Sequence, residues 1–197
     1  MTRVYEYDVF ISYQREGNLI PAWVRTHLYP RLLEVLHDNL DRDVKVFFDE
    51  KLPGGVKVPS ALRSALQRTR VLLAVCSPRY FLNEWCLAEW HSMARREEMV
   101  GMTSSEQSHG LIYPVIFCDS ENFPNYAHER RLQDLKTWNL PYPQFQDTVE
   151  YLGFHREVQR IAEELVDLLE RVPEWRPDWP VDTPEPGPPT TPKLPRF

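Results

Sequence analysis

Three chemically active side chains, Trp85, Cys86 and Glu89, lie close together in the sequence. If this segment is helical they share one face, because residues three and four positions apart are neighbours on a helix. A carboxylate in such a place can hold hydroxyl groups or stabilise positive charge that develops on a bound ligand. The thiol has no adjacent histidine to activate it, so we expect Cys86 to pack rather than to react.

The residues around this group predict a strand, a turn and a helix. The apolar run Val71–Cys76 indicates a strand that is buried on both faces. Ser77 and Pro78 end that strand, and Asn83 is a suitable N-cap for a helix from Glu84 to about Met99. The three side chains should then lie near the carboxyl end of a parallel strand, where open α/β sheets bind ligands.

The rest of the chain repeats the order of strand and helix. Pro30 should kink or split the first helix, and Pro114 indicates an edge or a bulge in the fourth strand. A fifth strand is expected near Lys136–Leu140. The other predicted elements are strands over Tyr7–Tyr13, Val44–Phe48 and Leu111–Cys118, and helices after Asn18, over Pro59–Thr69, over Arg130–Trp138 and over His155–Val172.

These elements predict the α/β class, with a flavodoxin-like doubly wound parallel sheet of four to five strands flanked by helices. Residues 1–172 form one domain in this interpretation. Nine of the 25 residues from Pro173 to Phe197 are proline, a composition that excludes a helix or a central strand. We expect residues 173–197 to be a proline-rich tail or a linker.

Composition excludes several classes of function. The net charge of −6 gives no support for nucleic-acid binding. The apolar runs are far shorter than the roughly 20 residues that span a bilayer, so we expect no membrane partner. Three widely spaced cysteines and an N-terminus without an apolar signal region favour the cytoplasm. The chain shows no glycine-rich phosphate loop and no metal-ligand spacing, and we therefore expect neither a metal nor a cofactor.

Three stretches, taken in order, resemble the Toll/interleukin-1 receptor (TIR) domain family. Residues 7–13 resemble its first conserved strand, residues 46–55 its second strand and BB loop, and residues 77–89 the strand end and helix that carry the catalytic glutamate of enzymatic members. The resemblance covers about residues 5–172. It implies that Glu89, which follows the Trp85-Cys86 pair at the family's spacing, is catalytic. The third conserved box of the family is not clear in this chain.

Enzymatic TIR domains cleave the nicotinamide–ribose bond of NAD+, so the resemblance implies NAD+ as substrate and ADP-ribose or a cyclic ADP-ribose as product. It places the residues that contact substrate around Glu89: Ser12, Tyr13, Arg15, Asp49, Ser77, Tyr80, Trp85 and Cys86. Arg15, Lys51 and Arg79 are candidates to bind the diphosphate. In the family the BB loop, here Leu52, Pro53, Gly54 and Gly55, governs self-association, which switches activity on.

One carboxylate is chemically sufficient for this reaction. Breaking an N-glycosidic bond passes through an oxocarbenium-like state, which a carboxylate beside the ribose stabilises. Nicotinamide leaves as a neutral molecule, so no strong general acid is needed. Ordinary glycosidases use two carboxylates because their leaving groups need a proton.

Two interpretations remain open at this stage. The first is an NAD+ nucleosidase or cyclase of a microbial, stand-alone antiviral defence protein, whose product a downstream effector would sense. The second is a non-catalytic adaptor that binds other TIR domains. Family adaptors generally lack a glutamate in the context that Glu89 has here, which favours the enzyme. A phosphorylated flavodoxin-like regulator is disfavoured because the chain has no paired-aspartate phosphorylation site.

Overall fold

The computed structural model describes residues 4–49, 58–102 and 110–184. Within these ranges five parallel strands form one sheet in the order β2-β1-β3-β4-β5. The strands are β1 (Tyr7–Tyr13), β2 (Val46–Phe47), β3 (Thr69–Cys76), β4 (Ile112–Ile116) and β5 (Gln133–Asp134). The helices are α1 (Leu19–Trp23), α2 (Tyr29–Asn39), α3 (Val58–Gln67), α4 (Glu84–Val100), α5 (Asn125–His128) and α6 (Glu150–Glu170). The predicted fold class is confirmed.

Both faces of the sheet are covered by helices. Val9 and Ile11 of β1 pack into a cluster with α1, α2 and α6, whereas Phe10 belongs to a second cluster with α3 and α4. Successive residues of a strand point to opposite faces, so one strand supplies both clusters. This arrangement explains why the strands contain consecutive apolar residues instead of alternating ones.

The kink or split that was predicted at Pro30 corresponds to a π-helical turn just before the proline. Residues Val24–Leu28 form a π-helical turn between α1 and α2. Proline has no N–H to donate to the carbonyl one turn earlier, that of Thr26. That carbonyl accepts a hydrogen bond from Gln146 Nε2 at 3.2 Å instead. The helix therefore continues past Pro30, and the Thr26 carbonyl that the proline leaves unpaired is bound by a side chain from outside the helix.

The predictions for residues 130–140 are wrong. No helix spans Arg130–Trp138, and the fifth strand is Gln133–Asp134 rather than a segment near Lys136–Leu140. Lys136–Trp138 forms a 3-10 turn, whose first backbone N–H donates to Asp134 Oδ1 at 2.9 Å. A strand of two residues is too short to show a period in its sequence.

Pro114 lies in an inner strand, so the prediction of an edge is wrong as stated. β4 pairs with β3 along its whole length, and Ala74 is the partner of Pro114. On the other side, however, β5 pairs only with Val115 and Ile116. The proline therefore stands just before that ladder begins, where its missing N–H breaks no strand pairing.

The first residues of the proline-rich segment lie against the domain. Trp179 is buried, and Val181 packs against the cluster that contains α3 and α4. The boundary after residue 172 stays a prediction, but residues within 173–182 contact the domain. In the part of the chain that the structure describes, none of the helices has the length and apolar character required to cross a bilayer.

Candidate functional site

The carboxyl ends of β1 and β3 lie side by side and form the floor of the site. The two strands pair in register up to Tyr13 and Val75. β1 lies between β2 and β3. The connection after β1 therefore leads to a strand on one side of it, and the connection after β2 leads to a strand on its other side. Such a switch in strand order opens a crevice at the carboxyl ends of the strands, which is where this class of sheet binds ligands.

A tight turn after β3 directs α4 across this floor. The Ser77 hydroxyl accepts a hydrogen bond from Tyr80 N at 3.2 Å and closes the turn. Asn83 Oδ1 then accepts from both Trp85 N and Cys86 N at 3.1 Å, which confirms the predicted N-cap. The cap fixes the direction of the first turns of α4, which carry Glu89.

Glu89 is almost completely buried at the end of β1. The residue is 2% exposed, and its Oε2 accepts a hydrogen bond from Ser12 Oγ at 2.5 Å. The Tyr80 hydroxyl lies 2.8 Å from the same Ser12 oxygen. Ser12, Tyr80 and Glu89 were predicted to share a site. The Ser12 hydroxyl is therefore in hydrogen-bond contact with both of the others, although it is far from them in the sequence.

Arg15 joins Glu89 to a second carboxylate. Its Nη2 donates to Glu89 Oε1 at 2.7 Å, and its Nε donates to Asp49 Oδ2. The other oxygen of Asp49 accepts from the Tyr13 hydroxyl, and the Arg15 guanidinium carbon lies 5.9 Å from the centre of the Tyr13 ring. The sequence predicted Arg15 as a contact to ligand and did not predict this ion pair.

Burial governs the protonation of these groups. Burial raises the pKa of Glu89, and the nearby Arg15 and Ser12 offset only part of that rise. Burial lowers the pKa of Arg15, but Glu89 and Asp49 raise it by more, so the guanidinium stays charged. Burial and the neighbouring Glu89 raise the pKa of Cys86, which agrees with a thiol that packs rather than reacts.

An open cleft with a volume of about 410 Å³ lies beside the loop that carries Arg15, and neither Arg15 nor Glu89 is among its lining residues. Gln14 and Glu16, on either side of Arg15 in the chain, form part of its wall. The remaining lining residues come from the turn after β3 and the start of α4: Arg79, Leu82, Asn83, Glu84 and Trp85. Trp85 is only partly buried, whereas Trp90 on the same helix is 1% exposed and belongs to the core. Trp85 is thus the indole that a ligand in the cleft can reach.

The structure brings most of the predicted residues together. Ser12, Tyr13, Arg15, Asp49, Tyr80 and Glu89 form one connected network, and Trp85 lines the adjacent cleft. Ser77 and Cys86 are buried beneath it, and their part in binding stays a prediction. The predicted self-association loop, Leu52, Pro53, Gly54 and Gly55, lies outside the described residues, as does Lys51.

Sequence reasoning missed Gln14, Glu16 and Leu82, which line the cleft. Leu82 gave no usable signal, because an apolar residue directly before a helix cap commonly packs against the first turns of the helix, whereas here it is exposed. Among the described residues, no group of histidine, cysteine and acidic side chains is arranged to hold a metal ion. The side chains that the site brings together are a buried carboxylate with hydroxyl and guanidinium neighbours.

One protein family matches most of this chain. The sequence model of the TIR domain family matches residues 9–149. The TIR domain of the Toll-related receptor TRR-2 from Hydra magnipapillata is 18% identical, with a TM-score of 0.45, over 78% of this chain and 98% of that one. The TIR domains of the activated Roq1 resistosome, which recognises the pathogen effector XopQ, are 18% identical, with a TM-score of 0.39, over 84% of this chain and 96% of that one. No curated protein matches the sequence. Because the family match spans more than half of its residues, the chain belongs to the TIR domain family.

Proposed function

We propose that this protein is an NAD+ nucleosidase that cleaves the bond between nicotinamide and ribose. The observation that carries the proposal is the buried Glu89 carboxylate at the carboxyl end of β1, held by Ser12 and by Arg15, whose neighbours in the chain line an open cleft. A carboxylate in a site that excludes water stabilises developing positive charge far better than one in solvent.

In the proposed reaction the bond between ribose C1′ and the nicotinamide nitrogen breaks, and its electron pair goes to that nitrogen. The pyridinium becomes neutral nicotinamide while positive charge grows on the ribose, where Glu89 stabilises it. Water then adds its oxygen to C1′ and releases a proton, which gives ADP-ribose. If an adenine nitrogen attacks C1′ instead, the product is a cyclic ADP-ribose.

Arg15 must release Glu89 for this to occur. In the unliganded protein its guanidinium is bound to the Glu89 oxygen that Ser12 does not hold. Arg15 is 24% exposed and lies on the loop between β1 and α1, beside the cleft. We infer that it exchanges the carboxylate for the diphosphate of the substrate, because both are oxyanions that guanidinium binds through two hydrogen bonds. The substrate would thereby free the carboxylate that acts on it.

The cleft supplies the remaining contacts in this proposal. Trp85 offers a ring on which nicotinamide or adenine can stack, and Arg79 offers a second cation for the diphosphate. Self-association through TIR–TIR contacts would switch the enzyme on. Asp49 would relay the change, because it binds Arg15 and directly precedes the segment that holds the predicted self-association loop. Action in the cytoplasm, in antiviral defence and through a downstream effector that senses the product, belongs to the same proposal.

The test is to incubate the purified full chain, concentrated and in a crowding agent, with NAD+. Free nicotinamide and the nucleotide product are then identified by chromatography and mass spectrometry. Glu89→Gln should abolish release, because it keeps the size of the side chain and removes its charge. Glu98→Gln is the matched control, since Glu98 is an exposed residue of the same helix.

The alternative is a non-catalytic module that binds other TIR domains. One observation favours it: both Glu89 oxygens already have partners, Ser12 and Arg15, in the unliganded protein. A structural ion pair would look the same. The adaptor follows if the wild type and Glu89→Gln both release no nicotinamide under conditions in which light scattering shows that the chains assemble.

A further inference from the structure

Residues 173–182, which we call the strap, run across the ends of α3 and α4. Trp175 Nε1 donates to the carbonyl of Gln67 at 3.1 Å, and Gln67 Nε2 donates to the carbonyl of Pro177 at 3.2 Å. At its start, the Pro173 carbonyl accepts from the Tyr5 hydroxyl at 2.9 Å. The strap is therefore fastened to both an α-helix and the N-terminal segment.

The strap covers a buried arginine of α4. Trp179 is 3% exposed, and the guanidinium carbon of Arg96, itself 1% exposed, lies 5.7 Å from the centre of its rings. Within the described ranges Arg96 pairs with no carboxylate, and it donates to the carbonyls of Leu66 at 2.9 Å and Thr69 at 3.2 Å. Burial lowers the pKa of Arg96 to about 10. Burial of the Trp179 indole stabilises the docked strap, whereas removal of the Arg96 cation from water destabilises it.

Glu89 lies on the same face of α4 as Arg96. Ser92 and Arg96 follow Glu89 at positions i+3 and i+7, so the three residues lie along one face of the helix. Asp182 N donates to Ser92 Oγ at 2.8 Å, and that hydroxyl donates to the carbonyl of Ala88 at 2.6 Å. Two hydrogen bonds therefore connect the strap to the helical turn that carries the carboxylate.

We propose that the strap is a positioning element for Glu89, which acts through Ser92 and Arg96 on the register of α4. This inference rests on the proposed function. The carboxylate must stay within reach of Ser12, which belongs to a different element, and the strap holds the far half of α4 against α3 and β3. A helix that is held at one end only can slide or tilt, and small displacements of a catalytic group are costly.

The experiment removes one hydrogen bond from the strap in the full chain. Asp182→Pro deletes the N–H that Ser92 accepts, and it also loses the exposed ion pair between Asp182 and Arg95. Arg95→Ala is the matched control, because it removes that ion pair and keeps the N–H. We expect Asp182→Pro to lower kcat by about tenfold to a hundredfold with little change in KM. Arg95→Ala should stay within about twofold of the wild type.

Hydrogen exchange of the amides in residues 86–92 gives a readout that does not depend on activity. Exchange there should be faster in Asp182→Pro than in Arg95→Ala. Equal exchange and equal kcat in the two variants would overturn the proposal. If the wild type releases no nicotinamide, the proposed function fails, whereas the exchange comparison still decides whether the strap holds the Glu89 turn.

A second pair of variants covers the case in which Asp182→Pro does not fold. Ser92→Ala removes the acceptor of the same hydrogen bond, and Ser92→Thr restores a hydroxyl. Faster exchange around Glu89 and a lower kcat in the alanine variant, both reversed in the threonine variant, support the proposal. An alanine variant that matches the wild type in exchange and in kcat contradicts it.

Discussion

Helix α4 carries two buried glutamates that look alike and differ in what holds them. Glu89 and Glu97 are each 2% exposed, and each faces an arginine. Glu97 is held by both guanidinium nitrogens of Arg130, and its Oε1 also accepts from the backbone N–H of Ile112 at 3.2 Å. Among the described residues, the partners of Glu89 are side chains.

The difference teaches how to separate a structural carboxylate from one that is available for chemistry. The backbone partner of Glu97 belongs to the sheet and cannot leave without breaking it. The partners of Glu89 are the side chains of Ser12 and of the loop residue Arg15, and side chains can rotate without breaking the sheet. Burial and an ion pair are thus common to both sites, and the backbone partner of Glu97 distinguishes them.

The largest expected effect is on catalysis at Glu89. Glu89→Gln should lower nicotinamide release by on the order of 10³-fold or more, because the charge that stabilises the transition state is lost. The thermal midpoint should stay close to that of the wild type. Initial rates over a range of NAD+ concentrations measure the first effect, and calorimetry measures the second. A variant that keeps its rate would place the chemistry elsewhere.

Glu97→Gln should reverse this pattern. Loss of the charge leaves Arg130 without its ion partner and lowers the free energy of unfolding by about 3 kcal/mol. Urea unfolding followed by circular dichroism measures the change, with the exposed Glu98→Gln as control. The rate per folded molecule should not change. A stability equal to that of Glu98→Gln would show that the comparison between the two glutamates is wrong.

Gly110→Ala should have a smaller effect, and it acts through the same carboxylate. A Cβ at Gly110 would lie 2.2 Å from Glu97 Oε1, so the ion pair with Arg130 would have to shift. We expect a loss of about 2 kcal/mol in the free energy of unfolding. The loss should shrink when Gly110→Ala is made in a Glu97→Ala background, where the clash is absent. A loss of equal size in both backgrounds would assign the effect to the backbone at Gly110.

The smallest expected effect is a shift along the pH axis. Because burial raises the pKa of Glu89, the acid limb of kcat/KM should lie above the value of about 4.3 for a free glutamate. Activity needs the ionised form, so it falls as the pH drops through this raised pKa. Arg15 lowers the pKa, so Arg15→Gln should move the limb to higher pH. An acid limb at or below the ordinary value in the wild type would contradict this account.

The sequence predicted the parts of the site that follow from local patterns. Asn83 was identifiable as a cap, and the apolar run of β3 placed Glu89 near the carboxyl end of a strand, whereas the resemblance to the TIR family placed Ser12 near it. These inferences succeed because caps and strand ends depend on a few adjacent residues. The parallel sheet followed from the alternation of strand and helix.

Long-range ion pairs could not be predicted in this way. Arg15 and Glu89 are separated by 74 positions, and Glu97 and Arg130 by 33, with no local signal that links them. The strap was missed for a different reason. Its prolines exclude a helix, but they say nothing about packing. Trp175 and Trp179 were the available signal, because two large apolar rings in a short segment favour burial over exposure to solvent.

The carboxylate of Glu97 also occupies a backbone N–H of β4 that β5 leaves uncovered. Along β4, successive backbone N–H groups point alternately towards β3 and towards β5. β5 is too short to reach those that point its way at the start of β4. Of these, Ile112 donates its N–H to Glu97, and Pro114 has none to offer. A strand from another chain would therefore find neither of these N–H groups available for pairing, since one is bound to an acidic side chain and the other is absent.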